Sequence, residues 1–240
     1  MTTADTFLTT RNATVTDLAA LLQAQHAAKL DVVTPARHLL DEHGRVRLIG
    51  VGEPRLTPDG VTVGETVLRP TAVADAGTAE KLGIPLPYLR RLRAEQIGLY
   101  DANVNTWLVD DADRRFLVRG LHDPDGGRGV VRALLSDSYR VVDNLDVPMA
   151  VLHRVREAGV QVDIAGCDLT ERCMYVRDRA PQVAEYAREL LTDYRSPFTG
   201  ARGADNPVVF AGFVVSNSET GHGSFSLIPQ LTVQVCDKTE

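Results

Sequence analysis

Between Phe213 and Leu227 two apolar, β-prone arms flank a stretch that packs Ser216, Asn217, Ser218, Glu219, Thr220, His222 and Ser224 close together. A plain hairpin needs only a few turn residues, commonly Asn-Gly or Gly-Gly. This tip offers a carboxylate, an imidazole, an amide and several hydroxyls instead. As chemistry, Glu219 has the type of a general base, His222 of its acid–base partner, and Ser216 or Ser218 of a nucleophile or hydrogen-bond donor. Asp137, Asp143 and Asp146 are further carboxylates able to approach from a loop–helix junction. The competing expectation is a structured hairpin whose Ser and Asn side chains satisfy their own backbone, with Gly221 and Gly223 supplying positive φ. The chain carries no G-x-S-x-G elbow, phosphate loop or H-E-x-x-H motif, so catalysis is the weaker expectation of the two.

A second chemical set is cationic. Residues 88–140 carry nine Arg against eight Asp or Glu, whereas the chain as a whole has a net charge of −6. If Arg90, Arg91, Arg93, Arg114, Arg115 and Arg119 shared one face, with Tyr88, Tyr100, Trp107 and Phe116 among them, they would form a phosphate-tracking, base-stacking groove for single strands. The acidic total and the 5% aromatic content weigh against strong non-specific attraction to phosphates. Arg clusters also commonly line a solvated helix face.

Three cysteines, Cys167, Cys173 and Cys236, form no C-x-x-C pair, and the six histidines show only the loose His38/His43 spacing. Free thiols, no metal and no cofactor are the expectation. No run approaches the ~18 apolar residues that span a bilayer. The start, Met1–Thr6, has neither the basic patch nor the apolar run of a secretory leader. These features predict a cytoplasmic chain with no membrane contact. The 44% apolar and 24% charged content is that of an ordinary globular protein.

The elements that would hold these residues follow from periodicity. A helix is expected over Thr14–Leu30, then strands Val46–Val51 and Val61–Leu68. Helices are expected from Thr71 to Gly83 and from Pro85 or Pro87 onward, with no third helix evident. That pair outlines a DNA-binding helix-turn-helix, an outline shared with many purely structural helix pairs. Trp107 is expected as a core anchor. Strands Arg115–Leu121 and Val130–Leu135 flank the turn Pro124-Asp125-Gly126-Gly127. A helix capped by Asn144 or Asp146 runs to Glu157, stopped by Gly159. A hairpin Val160–Ile164/Cys173–Val176, a helix from Pro181 through Leu191, a loop to Asn206 and the final hairpin complete the chain. The lack of β-α-β alternation predicts an α+β fold with a mostly antiparallel sheet and packed helices. Residues 1–240 read as one α+β domain with a soft boundary near 124–129, after which a C-terminal strand–helix–hairpin–helix–hairpin unit follows.

Four segments carry a resemblance: Leu82-Gly83-Ile84-Pro85, Asn103-Val104-Asn105-Thr106-Trp107-Leu108, the run from Val131 to Val147 containing Ser136-Asp137-Ser138-Tyr139-Arg140, and Gly212 to Gly221. Together the chain resembles, over residues 10–236, the uncharacterised phage- and plasmid-type family catalogued as domain of unknown function 932. The resemblance implies a bacterial, cytoplasmic, mobile-element setting and a chain that would continue past Cys236. It implies no activity and no catalytic residues. The functional expectation is a nucleic-acid-binding protein handling single strands in recombination or replication. The alternatives are a regulatory factor that binds a host or mobile-element protein, and, less favoured, an enzyme using the Ser216–Ser226 tip.

Overall fold

A computed structural model describes residues 8–123, 129–180, 192–195, 197, 200, 202 and 209–233. In chain order its elements are β1 (Thr10–Ala13), α1 (Val15–Ala27), β2 (Lys29–Pro35), β3 (Leu39–Glu42), β4 (Arg45–Ile49), β5 (Arg55–Thr57), β6 (Gly60–Thr62), β7 (Glu65–Pro70), α2 (Ala72–Leu82), α3 (Leu86–Glu95) and α4 (Ile97–Asp110). There follow β8 (Arg115–Leu121), β9 (Val130–Ser136), α5 (Asp146–Glu157), β10 (Asp163–Leu169), β11 (Met174–Arg179), β12 (Val209–Asn217) and β13 (Ser226–Val233). The fold is α+β with mostly antiparallel sheets. No helix among the described residues is long and apolar enough to cross a membrane.

Contacts divide the chain into two compact units, one of residues 1–23 and 142–240, the other of residues 24–141. The soft boundary expected at 124–129 falls mainly on 124–128, outside the described residues and within the span of the second unit. The turn at Pro124–Gly127, the helix expected from Pro181 to Leu191 and Cys236 also lie outside the described residues.

The first unit is a five-stranded antiparallel sheet of order β1-β10-β11-β12-β13. One face is apolar. Cys167 and Leu169 of β10, Met174 and Val176 of β11 and Val215 of β12 pack with Leu18 and Leu22 of α1 and Val147 of α5. Leu18 and Leu22 stand one helical turn apart, which places both on the same stripe. Gly159, at φ +71°, follows α5 in the left-handed conformation expected of a helix stop.

The second unit is a six-stranded sheet of order β2-β8-β9-β7-β4-β3, antiparallel except for the β7–β9 pair. Helices α2, α3 and α4 contribute Ala74, Ala79, Leu89, Leu92, Tyr100, Val104 and Leu108 to its main core. Thr71 caps α2, its hydroxyl accepting the Ala74 N–H, and Gly83 at φ +70° ends it. β3 and β4 join through His43 and Gly44, both at positive φ, the signature of a two-residue type I′ turn. β5 and β6 form a separate two-stranded ribbon whose Leu56 is 86% exposed.

Several expectations are corrected. The first helix stops at Ala27, because Lys29–Pro35 pairs with β8 as a strand. The expected strand Val61–Leu68 is broken at Gly64, where a Cβ would lie 2.2 Å from the Gly52 carbonyl oxygen. A third helix, α4, follows α3 directly, its core line being Tyr100, Val104 and Leu108. Trp107 sits beside that line rather than on it, and is 47% exposed instead of anchoring the core. The strand Val130–Ser136, expected to open the C-terminal unit, pairs with β7 and β8 in the second unit.

Helix α2 rests on β9 at one point of close approach. A Cβ on Gly77 would stand 2.8 Å from the Leu134 carbonyl oxygen, whereas one on Gly98 would meet nothing within 4 Å. Gly77→Ala should lower the urea midpoint, since overpacking of about 1–3 kcal/mol outweighs the helix-propensity gain of about 1 kcal/mol. Gly98→Ala should leave it unchanged or raise it. A higher midpoint for Gly77→Ala would show that α2 is free to shift.

Candidate functional site

The β12–β13 arms hold the Ser216–Ser226 tip in fixed register, Val215 opposite Leu227 and Ser216 opposite Ser226. Beyond Asn217 the chain turns inward, and Asn217, Ser218, Glu219 and Thr220 are all buried, Glu219 being 7% exposed. Asn217 Nδ2 donates to the Val142 carbonyl at 2.8 Å and to Asn144 Oδ1 at 2.9 Å. Glu219 Oε1 accepts the Asn144 backbone N–H at 2.5 Å. On the other side, Ser218 Oγ donates to the Arg172 carbonyl at 2.6 Å and accepts the His222 N–H at 3.0 Å. Thr220 Oγ1 lies 3.2 Å from the Glu171 and Arg172 carbonyls. The tip is therefore a polar clamp joining the segment before α5 to the β10–β11 turn.

The four candidate catalytic side chains are engaged in this clamp and the strand ends beside it. The Glu219 carboxylate is engaged by a backbone N–H. His222 is exposed, its Nδ1 3.0 Å from the Thr220 carbonyl oxygen. Ser218 is buried among backbone groups, and Ser216 Oγ bonds Ser226 Oγ at 2.7 Å. None of these contacts joins Glu219 to His222 or either to a serine as a nucleophile–base pair. The expected N-cap of α5 is also revised. Leu145 precedes the helix and makes no side-chain cap bond, because the Asn144 amide is used by Asn217. Pro148 occupies the first turn, where its missing N–H costs nothing.

The six arginines have divergent settings. Arg119 is 2% exposed and donates through Nε and Nη2 to the two Asp31 carboxylate oxygens at 3.0 and 2.9 Å. Arg93 is half-buried, stacked 4.1 Å from the Tyr100 ring centroid and paired with Asp75 at 2.8 Å. Arg91 pairs with Glu95 one turn along α3. Arg114 lies over the Phe116 ring at 4.9 Å. Arg90, Arg114 and Arg115 are exposed. The structure thus spends Arg93 and Arg119 inside the second unit; of the four aromatics, Tyr100 and Phe116 are buried, while Tyr88 and Trp107 are exposed.

A different arrangement emerges on the first unit. Along β11, Met174, Val176 and Asp178 are buried, while Tyr175 and Arg179 are exposed and Arg177 is half-exposed. The alternation sets these three side chains in a row on the sheet face opposite α1 and α5. Cross-strand neighbours extend the rows: Asp168, Tyr175, Ser216 and Ser226; Gly166, Arg177, Val214 and Ile228; Asp163, Arg179, Gly212 and Gln230. Tyr175 is 40% exposed. Arg177 Nη1 holds Asp168 Oδ2 at 2.5 Å, and the Asn12 N–H reaches Asp168 Oδ1 at 2.7 Å. These bonds, with the backbone N–H of Asn12 foremost, keep the Asp168 carboxyl below the usual carboxylate range. The face therefore offers an aromatic ring and two guanidinium groups, with Asp163 and Asp168 beside them and Ser216, Ser226, Gly166 and Gly212 as small neighbours. The alternation of Met174-Tyr175-Val176-Arg177-Asp178-Arg179 is a period-2 signal, visible in the sequence once the strand is extended to Arg179.

Behind that face, Asp178 is buried with both carboxylate oxygens unpaired, and burial lifts its carboxyl to about 6. Cys167 is buried in the core and Cys173 half-buried. Among the described residues no group of His, Cys, Asp and Glu has the makings of a metal site.

Comparison with known proteins adds no relative. No protein-family model, no curated protein and no solved structure matches this chain.

The clamp makes a specific forecast. Asn217→Ala or Glu219→Ala should cost about 1–3 kcal/mol, since each leaves buried backbone or amide groups without a partner. His222→Ala should stay within about 0.5 kcal/mol of the parent. Chemical denaturation of the three variants distinguishes a clamp from a tip whose polar groups are dispensable.

Proposed function

We propose that the protein binds single-stranded nucleic acid on the open face of its five-stranded sheet. The observation that supports this is the outward row Tyr175, Arg177 and Arg179 on β11. A tyrosine ring is a sequence-tolerant platform for a base, and neighbouring guanidinium groups suit the phosphates on either side. The small flanking side chains of Ser216, Ser226 and the glycines leave room for an extended strand to lie flat. Beside the Arg177–Asp168 pair, the exposed Arg179 and Arg11 add further positive charge to this unit. With so few phosphate contacts the affinity is modest and sensitive to salt. The phage- and plasmid-type resemblance is compatible with such a role in recombination or replication, as part of a mobile element.

A second reading has its own observation. On α4 the side chains of Leu99, Trp107 and Val109 are exposed, apolar groups of the kind a protein partner covers. This favours a host or mobile-element protein as partner of the second unit.

Fluorescence anisotropy of a labelled single-stranded oligonucleotide, titrated at two salt concentrations with duplex DNA and RNA as competitors, tests the first reading. Binding should weaken steeply with salt, and Tyr175→Ala should weaken it about tenfold, in keeping with the ~1–3 kcal/mol of a stacked base. Arg179→Ala should reduce both affinity and salt slope, while Arg91→Ala should change neither. Absence of binding at about 100 μM protein in low salt would remove this reading and leave the second.

A further inference from the structure

The second unit encloses a polar cluster that neither reading uses. Asp41 of β3, 5% exposed, lines a cavity of about 20 Å³ together with Thr78 and the apolar side chains of Val104, Leu108 and Val131. That space holds about one water molecule. Asp41 Oδ1 is buried and has no hydrogen-bond partner. Around it stand Asp75 of α2, Arg93 of α3, and Tyr100 and Asp101 of α4. From β4, Arg45 and Arg47 are register partners of Glu42 and Leu40, on the other sheet face from Asp41.

Asp41 and Asp75 both lie in the field of Arg93, which Arg90 reinforces at Asp75, and Asp75 and Asp101 have hydrogen-bond partners that favour the charged form. Asp75 Oδ1 takes Arg93 at 2.8 Å and the Tyr100 hydroxyl at 3.2 Å, bonds that oppose the burial by which this carboxyl too is raised. Asp101 accepts the backbone N–H groups of His43 at 2.7 Å and Gly44 at 2.9 Å. Arg93 Nη1 donates to the Gly44 carbonyl at 2.9 Å. The same groups therefore pin the β3–β4 turn to α3 and α4. Asn105 completes the attachment, its amide pairing with the Asp41 N–H at 2.8 Å and carbonyl at 2.7 Å. Asp41 is the carboxyl left over, placed where the hairpin meets the helices.

We propose that docking of the β3–β4 hairpin onto α3 and α4 is gated by a proton held on the Asp41 carboxyl. With the proton in place the cluster contains a neutral acid beside the Arg93–Asp75 pair, and the hairpin stays seated. Loss of the proton leaves a buried, unpaired carboxylate near two others, a state relieved by lifting the edge strand β3 and its turn so that water reaches Asp41. Burial supports the same direction, raising this carboxyl to about 7 against the pull of Arg93 and with the push of Asp101 and Asp75. The raised folded value fixes the sign. The proton's contribution is complete below the ordinary value of 3.8, falls as pH rises, and is gone above about 7.

Hydrogen exchange of the amides of residues 39–49, corrected for intrinsic rates, tests the gate on the full chain. Protection of the His43 and Gly44 amides should fall up to tenfold per pH unit between about pH 5 and 7. In Asp41→Asn that dependence should vanish while protection at about pH 5 is retained. The exposed imidazole of His43 remains in that variant, so a slope that survives belongs elsewhere and overturns the proposal. Asp178→Asn, in the other unit, should leave the hairpin's slope intact; its disappearance there would equally overturn it. Should Asp41→Asn fail to fold, carbon-13 NMR titration of the parent's Asp41 carboxyl decides, and a midpoint below about 5 overturns the proposal.

Discussion

The register of the first unit's sheet hangs on the contacts of Asn217 and Glu219. Side chains alternate along a strand, so a slip of one residue exchanges the two faces. Slipped by one, β11 would turn Met174 and Val176 to solvent and drive Tyr175, Arg177 and Arg179 against α1 and α5. Apolar pairing alone discriminates weakly at the outer end of this sheet, where Leu227 and Ile228 of β13 are both exposed. The polar clamp supplies the missing discrimination. Asn217 and Glu219 reach Val142 and Asn144, while Ser218 and Thr220 reach Glu171 and Arg172, and these bonds form at one setting of β12. A stretch with the composition of an active site thus acts as a register pin. The face proposed to bind single strands lies elsewhere on the same sheet.

Much of the architecture was legible because its signals are local. The Thr71 cap, the Gly83 stop, the strands around residues 115–121 and 130–135, and the Gly159 stop are each fixed by residues next to one another in the chain. What escaped depends on partners far away. β2 follows its helix with barely a break, and is a strand because Lys29 to Pro35 matches Leu121 to Arg115. Helix α4 contains Gly98, Val104, Asn103 and Asn105, all poor helix formers. It forms because Tyr100, Val104 and Leu108 are buried and because Asn105 and Asp101 bond β3 and its turn. The His43-Gly44 turn is itself a hairpin signal, because Gly44 readily supplies the positive φ that a two-residue turn needs.

The site was legible in residue type but not in place. Density of Ser, Asn, Glu and His between two strands describes a catalytic tip and a buried clamp equally well, since both need polar atoms in fixed positions. Only burial tells them apart. The arginine set failed for a related reason. Arg119 alternates with Val118 and Gly120 on a strand, and one face of that strand is closed around Asp31, so the charge serves an internal pair. Arg93 likewise faces Tyr100 and Asp75. A cation counted in sequence is less available to a ligand where a carboxylate in the fold has claimed it, least of all when the pair is buried.

The order of the two units along the chain constrains how the protein is made. Residues 24–141 are contiguous, and every strand of their sheet is present as soon as Ser136 has been synthesised. The other sheet begins with β1, whose Asn12 waits for Asp168, a partner 156 positions downstream. Its closure therefore carries the loop entropy of the whole intervening segment unless that segment has already condensed. Folding of that contiguous unit replaces a flexible span by a compact one, so fewer loop conformations remain to be lost when β1 meets β10.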